Sequence, residues 1–209
     1  MSPRLRAISA AAALLLAGCA SKEPLDFGAE QAGIYAQPIR AEAPAWQPGS
    51  EWRYSDGYGL QVVRVEGPIT TFRRIDDPTQ WIARKGFLRD DSQSQTRFRK
   101  VLFEDLKPGA GFALDSAKPL TFRREFVSGD ATHVHATSWT VERREHVKVP
   151  AGEFDCIVLV MRTRSLTSDW SGFERWWYSP DAQNYVRLEY QYGPEAAGSR
   201  VLTSYALAR

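Results

Sequence analysis

His133-Val134-His135 sets two imidazoles two residues apart, so on a strand both project from one side, a spacing that suits a shared metal ion. A zinc site needs a third ligand and usually a fourth. The remaining histidine, His146, falls on the opposite side of a straight strand and far along it. The simpler expectation is a surface pair at a strand end, with no metal bound; a metal-assisted hydrolase built on His133 and His135 is the enzymatic alternative. Cys156 opens the apolar run Cys156-Ile157-Val158-Leu159-Val160 and has no neighbouring base, so it reads as a small buried core residue rather than a nucleophile. There is no Gly-x-Ser-x-Gly elbow and no phosphate-cradling glycine loop. The acidic pairs Asp76-Asp77 and Asp90-Asp91 are expected at turns, where Asp bonds locally, rather than as paired catalytic carboxylates. No catalytic residue is assigned, and a non-enzymatic role is expected.

Two further patterns concern binding. Basic doublets recur beside aromatic or apolar residues at Phe72-Arg73-Arg74, Phe98-Arg99-Lys100 and Phe122-Arg123-Arg124, with another at Glu142-Arg143-Arg144. Aligned across strands they would form a cationic ladder for an anionic partner. Cross-strand pairing with the nearly equal number of acids on a wet face needs fewer assumptions. The aromatic set is the other candidate. Trp176-Trp177-Tyr178 lies in a strand, where neighbours face opposite sides, so one Trp joins the core while the other lines a surface. Trp139, Trp176 and Trp177 are the expected ligand-binding residues, with core filling as the plainer alternative.

The elements that would carry these residues are strands. From Trp46 onward, short segments rich in Val, Ile, Thr, Phe, Tyr and Trp alternate with punctuation such as Pro48-Gly49, Asp56-Gly57, Gly67-Pro68 and Pro150-Ala151-Gly152. Strands are predicted at 51–55, 59–66, 69–75, 80–84, 97–103, 120–127, 131–149, 154–165, 172–179 and 184–192, with a last one near 200–206. Along 131–149, His133, His135, Thr137, Trp139 and Val141 share the more apolar face, as in an antiparallel sheet with one solvated side. The fold class expected is mostly β: a curved antiparallel sheet, half-barrel or clamp-like, with little helix.

The N-terminus is a targeting segment. Arg4 and Arg6 give a basic start, and Ala7–Leu16 is a run, apolar apart from Ser9, about half the roughly 20 residues that span a bilayer. Leu16-Ala17-Gly18-Cys19 then resembles the lipobox of bacterial lipoproteins. The resemblance implies a signal peptide over 1–18, cleavage between Gly18 and Cys19, and diacylglycerol on the Cys19 sulfur, often with a further acyl chain such as palmitate on the new amine. Two or three chains anchor durably where one does not. Ala20 rather than Asp follows the lipidated residue, which by the sorting rule of enteric-type bacteria points to the outer membrane, with the domain in the periplasm. Residues 19–45, poor in large apolar groups and interrupted by Pro38 and Pro44, read as a flexible tether, and 46–209 as one β-rich domain. A formal net charge of +2 gives no reason to expect nucleic-acid binding.

Val147-Lys148-Val149-Pro150-Ala151-Gly152-Glu153-Phe154-Asp155, Trp176-Trp177-Tyr178-Ser179-Pro180 and Val186-Arg187-Leu188-Glu189 resemble a widespread bacterial family of secreted and lipoprotein β-rich domains of unknown function. Pro48 to Gly57 looks familial too. The resemblance implies antiparallel sheets curved into a half-barrel, loosely like lipoprotein carriers of acyl chains. The family's glycine after Trp-Tyr-Ser-Pro is missing; either Asn184 takes the left-handed conformation in its place or the turn is remodelled. The expectation is therefore a lipoprotein with no cofactor beyond the covalent lipid on Cys19. It would bind a hydrophobic or amphiphilic ligand or an envelope protein. The alternative is a structural or assembly subunit of an envelope complex.

Overall fold

Alternating apolar and polar residues, broken by Gly and Pro turns, give strands too short to bury a face alone, so each must pair on both edges. The computed structural model describes residues 37–94, 98–104, 106–128, 130–194 and 196–209; the signal segment and Cys19 lie outside them. Residues 37–209 form a unit of their own. The strands are β1 Arg40–Glu42, β2 Glu51–Tyr54, β3 Gly59–Glu66, β4 Ile69–Arg74, β5 Trp81–Lys85, β6 Leu88–Gln93 and β7 Phe98–Glu104. They continue with β8 Ala113–Asp115, β9 Leu120–Ser128, β10 Ala131–Val149, β11 Gly152–Ser165, β12 Ser171–Ser179, β13 Asn184–Tyr192 and β14 Ala196–Ala206.

All strands except β1 and β8 join one closed barrel in the order β10-β11-β12-β13-β14-β2-β3-β4-β5-β6-β7-β9, with β9 returning to β10. The expected curved sheet is thus closed on itself, and every neighbour is antiparallel. β1 pairs with β8 outside the barrel order. Because neighbours alternate in direction, the β9–β10, β11–β12 and β13–β14 connections share one end. The β10–β11 and β12–β13 turns, and the entry of residues 37–50, share the other.

That second end is sealed. Trp46 Nε1 donates to the Gln183 carbonyl at 2.8 Å, Trp52 Nε1 to the Ala182 carbonyl at 2.6 Å, and Tyr178 Oη to the Glu42 carbonyl at 2.8 Å. Phe87 meets Tyr178 edge-on at 5.1 Å. Residues 40–42 fall within the stretch read as tether, yet they form β1 and bury Ala41 completely. Three residues are too few to show a period, so the sequence carries no signal for this strand.

Three other differences have local causes. Asp90-Asp91 is in β6, not at a turn: Asp90 is buried against Lys85 Nζ at 3.0 Å, and Asp91 accepts the Val101 N–H at 3.0 Å. The carboxylates are satisfied across the sheet, which composition cannot reveal. At the Pro180 turn the left-handed residue is Gln183, at φ 55°, not Asn184. Asn184 is buried, with its side-chain oxygen accepting the Tyr185 N–H at 3.0 Å, so its side chain serves the turn from inside. The long strand β10 carries a bulge between Val141 and Arg143. Val141 pairs with Leu159 and Arg143 with Val158, so the bulge exchanges the two faces.

Trp52 has no exposure and packs 6.2 Å from Phe72. Trp52→Ala removes that volume and orphans the Ala182 carbonyl, so a loss of about 3–5 kcal/mol is expected by urea denaturation. A loss under about 1 kcal/mol would contradict the sealed end.

Candidate functional site

The barrel interior holds a cavity of about 580 Å³ that reaches the end bearing the β9–β10 and β11–β12 connections. Register explains its lining, since cross-strand partners share a face. On β9 and β10, Arg124 faces His135 and Phe126 faces His133. Trp139 pairs with Met161, Met161 with Glu174, and Leu159 with Trp176. All but Leu159 line the cavity, joined by Arg84, Arg89 and Arg99. Phe87 and Leu88 make the floor, and Ser168 and Trp170 the mouth.

Four arginines thus face one carboxylate, Glu174, among the described lining residues. That carboxylate is held by the wall itself: Trp176 Nε1 donates to Oε2 at 2.7 Å, and Tyr192 Oη donates to Oε1. Its charge pushes the Tyr192 phenol, already raised by burial, further up.

Arg84 is 4% exposed and lies between two rings, 4.8 Å from Trp176 and 5.2 Å from Phe72. Cation–π attraction holds it there, but its Nη1 has no hydrogen-bond partner. Burial draws the Arg124 guanidinium down to about 10, with the charges of Arg89 and Arg99 adding to the effect against Glu174. Arg124 Nε is buried and unpartnered, and one terminal nitrogen reaches Thr163 at 3.5 Å. His135 is brought down to about 4, first by burial and then by Arg124, His133 and Arg99. The imidazole is therefore neutral at pH 7. It stacks on Trp170 at 4.8 Å, and its Nδ1 has no partner.

The structure brings Trp139 and Trp176 together at 5.2 Å, edge to face, inside the cavity. Trp177 goes to the opposite face, beneath Arg187 at 4.3 Å, and is buried without lining the cavity. His133 and His135 point inward at a ring separation of 6.5 Å, each packed on Phe126. They are not a surface pair. No cluster of three or more His, Cys, Asp or Glu that could hold a metal occurs among the described residues.

The basic doublets divide by strand parity. Arg124 and Arg99 turn inward, whereas Arg74 and Arg143 pair with Asp76 and Glu145. Arg84 and Arg89 were not singled out from sequence. Arg84 does share a strand face with Ile82, opposite Phe72, and a charge on an apolar face is the signal that could have found it. Glu174 shares a face with Trp176 in the same way.

No protein-family model matches the chain, and no curated protein matches it. Among solved structures, the hypothetical lipoprotein YmcC from Escherichia coli aligns with TM-score 0.53 at 9% identity, covering 86% of this chain and 95% of that one. That likeness establishes a shared fold. A candidate exported protein with a YmcC-like fold from Bacteroides fragilis (TM-score 0.40, 14% identity) and a candidate lipoprotein from Parabacteroides distasonis (0.38, 18%) are too distant to add to it. Each of the two covers 77% of this chain, and they are themselves covered to 97% and 96%.

Two titrations check the site. Ring NMR should find His135 titrating at about 4, against 6.5 for an unperturbed imidazole. Because the folded value is the lower one, stability that depends on neutral His135 is present above 6.5 and is lost as pH falls toward 4. An ordinary value near 6.5 would mean that the ring faces water. Burial raises the Cys156 thiol to about 12. It should therefore resist a disulfide reagent at pH 8 until the domain is unfolded, and fast labelling of the native protein would contradict its packing.

Proposed function

We propose that this protein is a non-enzymatic, lipid-anchored envelope lipoprotein, held at the outer membrane through Cys19, whose barrel interior binds one small anionic amphiphile. The observation that carries the reading is Arg84: a buried guanidinium between Phe72 and Trp176, with an unpartnered nitrogen and no ion pair among the described residues. A charge withdrawn from water without a partner is costly, and a bound anion relieves the cost. The apolar part of the ligand has Trp139, Trp176, Phe122 and Met161 to lie against. A volume of about 580 Å³ suits a single small ligand.

Lipoprotein character is supported by the Leu16-Ala17-Gly18-Cys19 sequence and by the fold shared with YmcC. A binding rather than a catalytic role is supported by the wiring of the wall. The Ser165 hydroxyl bonds Thr167 and the Thr167 and Ser168 N–H groups, and among the described residues nothing hydrogen-bonds His135 Nδ1 to orient the ring.

Native mass spectrometry of the domain purified from its own periplasm should show a retained small adduct. Arg84→Met should lose it while still melting cooperatively. A clean mass for the wild-type domain, together with no binding of added anionic amphiphiles by calorimetry, would overturn the reading.

A further inference from the structure

The cavity's charge balance and its unpartnered nitrogens specify the anion more narrowly. Arg84, Arg89 and Arg124 set against Glu174 leave two positive charges over, before Arg99 is counted. A carboxylate or a sulfate ester would neutralise one of them. A phosphate monoester, carrying about −1.5 to −2 at neutral pH, neutralises both.

The donors agree. Arg124 lies within electrostatic reach of Arg89, Glu174 and Arg99, and His135 within reach of Arg124. Arg124 Nε and His135 Nδ1 are both buried without partners, and these residues stand opposite each other on β9 and β10. A guanidinium offers a planar fork that fits two oxygens of a phosphoryl group. A neutral imidazole adds one ring N–H to a third. Glu174 does not repel such a ligand freely, because both its oxygens already accept bonds from Trp176 and Tyr192.

Resting on the reading of the cavity as an amphiphile site, we propose that its ligand is a phosphate monoester. The phosphoryl group sits among Arg84, Arg89 and Arg124 with His135 donating to it, and the apolar group lies toward Trp139, Phe122 and Met161. The Arg124 fork provides the geometry, and the net charge of the cavity provides the preference for a dianion.

Octyl phosphate, octanoate and octanol, matched in chain length, test this by calorimetry on the intact domain at pH 7.5. Octyl phosphate should bind at least about tenfold more tightly than octanoate. Its affinity should fall as pH drops through about 6, where the second phosphate proton binds. Arg124→Met, which removes one of the two surplus charges, should remove most of the preference while the melting transition stays cooperative. Equal binding of octyl phosphate and octanoate, with octanol weak, would overturn the phosphoryl assignment and leave the anionic-amphiphile reading standing. Equal binding of all three would overturn both the assignment and the anionic part of that reading. Binding of none would overturn both outright.

Discussion

The closing contact of the barrel, β9 against β10, is the constraint from which the site follows. Their ladder runs from Ala131 opposite Ser128 to Trp139 opposite Leu120. It brings Arg124 and Phe126, and Arg99 on the neighbouring β7, round to face residues of β5 and β12. In an open sheet these arginines would lie at an edge in water and their charges would mean little. Closed, they share a low-dielectric interior with Arg84 and, among the described residues, with a single carboxylate, and burial first and like charges second hold Arg124 and His135 down.

The interior is built in two tiers. Near the sealed end Trp46, Trp52 and Phe72 pack tightly, fixed by indole N–H bonds to the Ala182 and Gln183 carbonyls. Tyr54 stacks on Tyr185 at 4.8 Å, and Tyr185 leads on to Trp176 at 5.1 Å. Arg84 stands where this aromatic column meets the cavity. The well-packed tier supplies the stability that lets the other tier tolerate unpaired charge, a division usual where a binding site is built into a core.

Most of the fold could be read from the sequence because period-2 patterning and Gly–Pro turns are local signals. The strands 59–66, 131–149 and 184–192 were readable to the residue. Closure was not, since a half-barrel and a barrel have the same strands and differ only in whether the last edges meet. β6 was hidden because Leu88-Arg89-Asp90-Asp91 looks like solvent-facing chain until Lys85 and the Val101 N–H are known to satisfy its acids. For the site, Trp139 and Trp176 were readable as aromatics on apolar faces. The Arg124 and Arg99 orientations needed the exact strand register, because one residue of slippage would have turned Arg123 and Lys100 inward instead.

The cavity arginines serve either a ligand or the fold, and Arg124→Met separates the two most directly. With burial and like charges holding the Arg124 guanidinium at about 10, the charged residue opposes folding of the ligand-free domain. Thermal melting of the ligand-free protein should therefore show Arg124→Met at or above the wild-type midpoint, by about 2 °C or more if a kilocalorie is recovered. A midpoint several degrees lower would mean that Arg124 is a structural member of the barrel wall, and would contradict the claim that the interior is charged for a ligand.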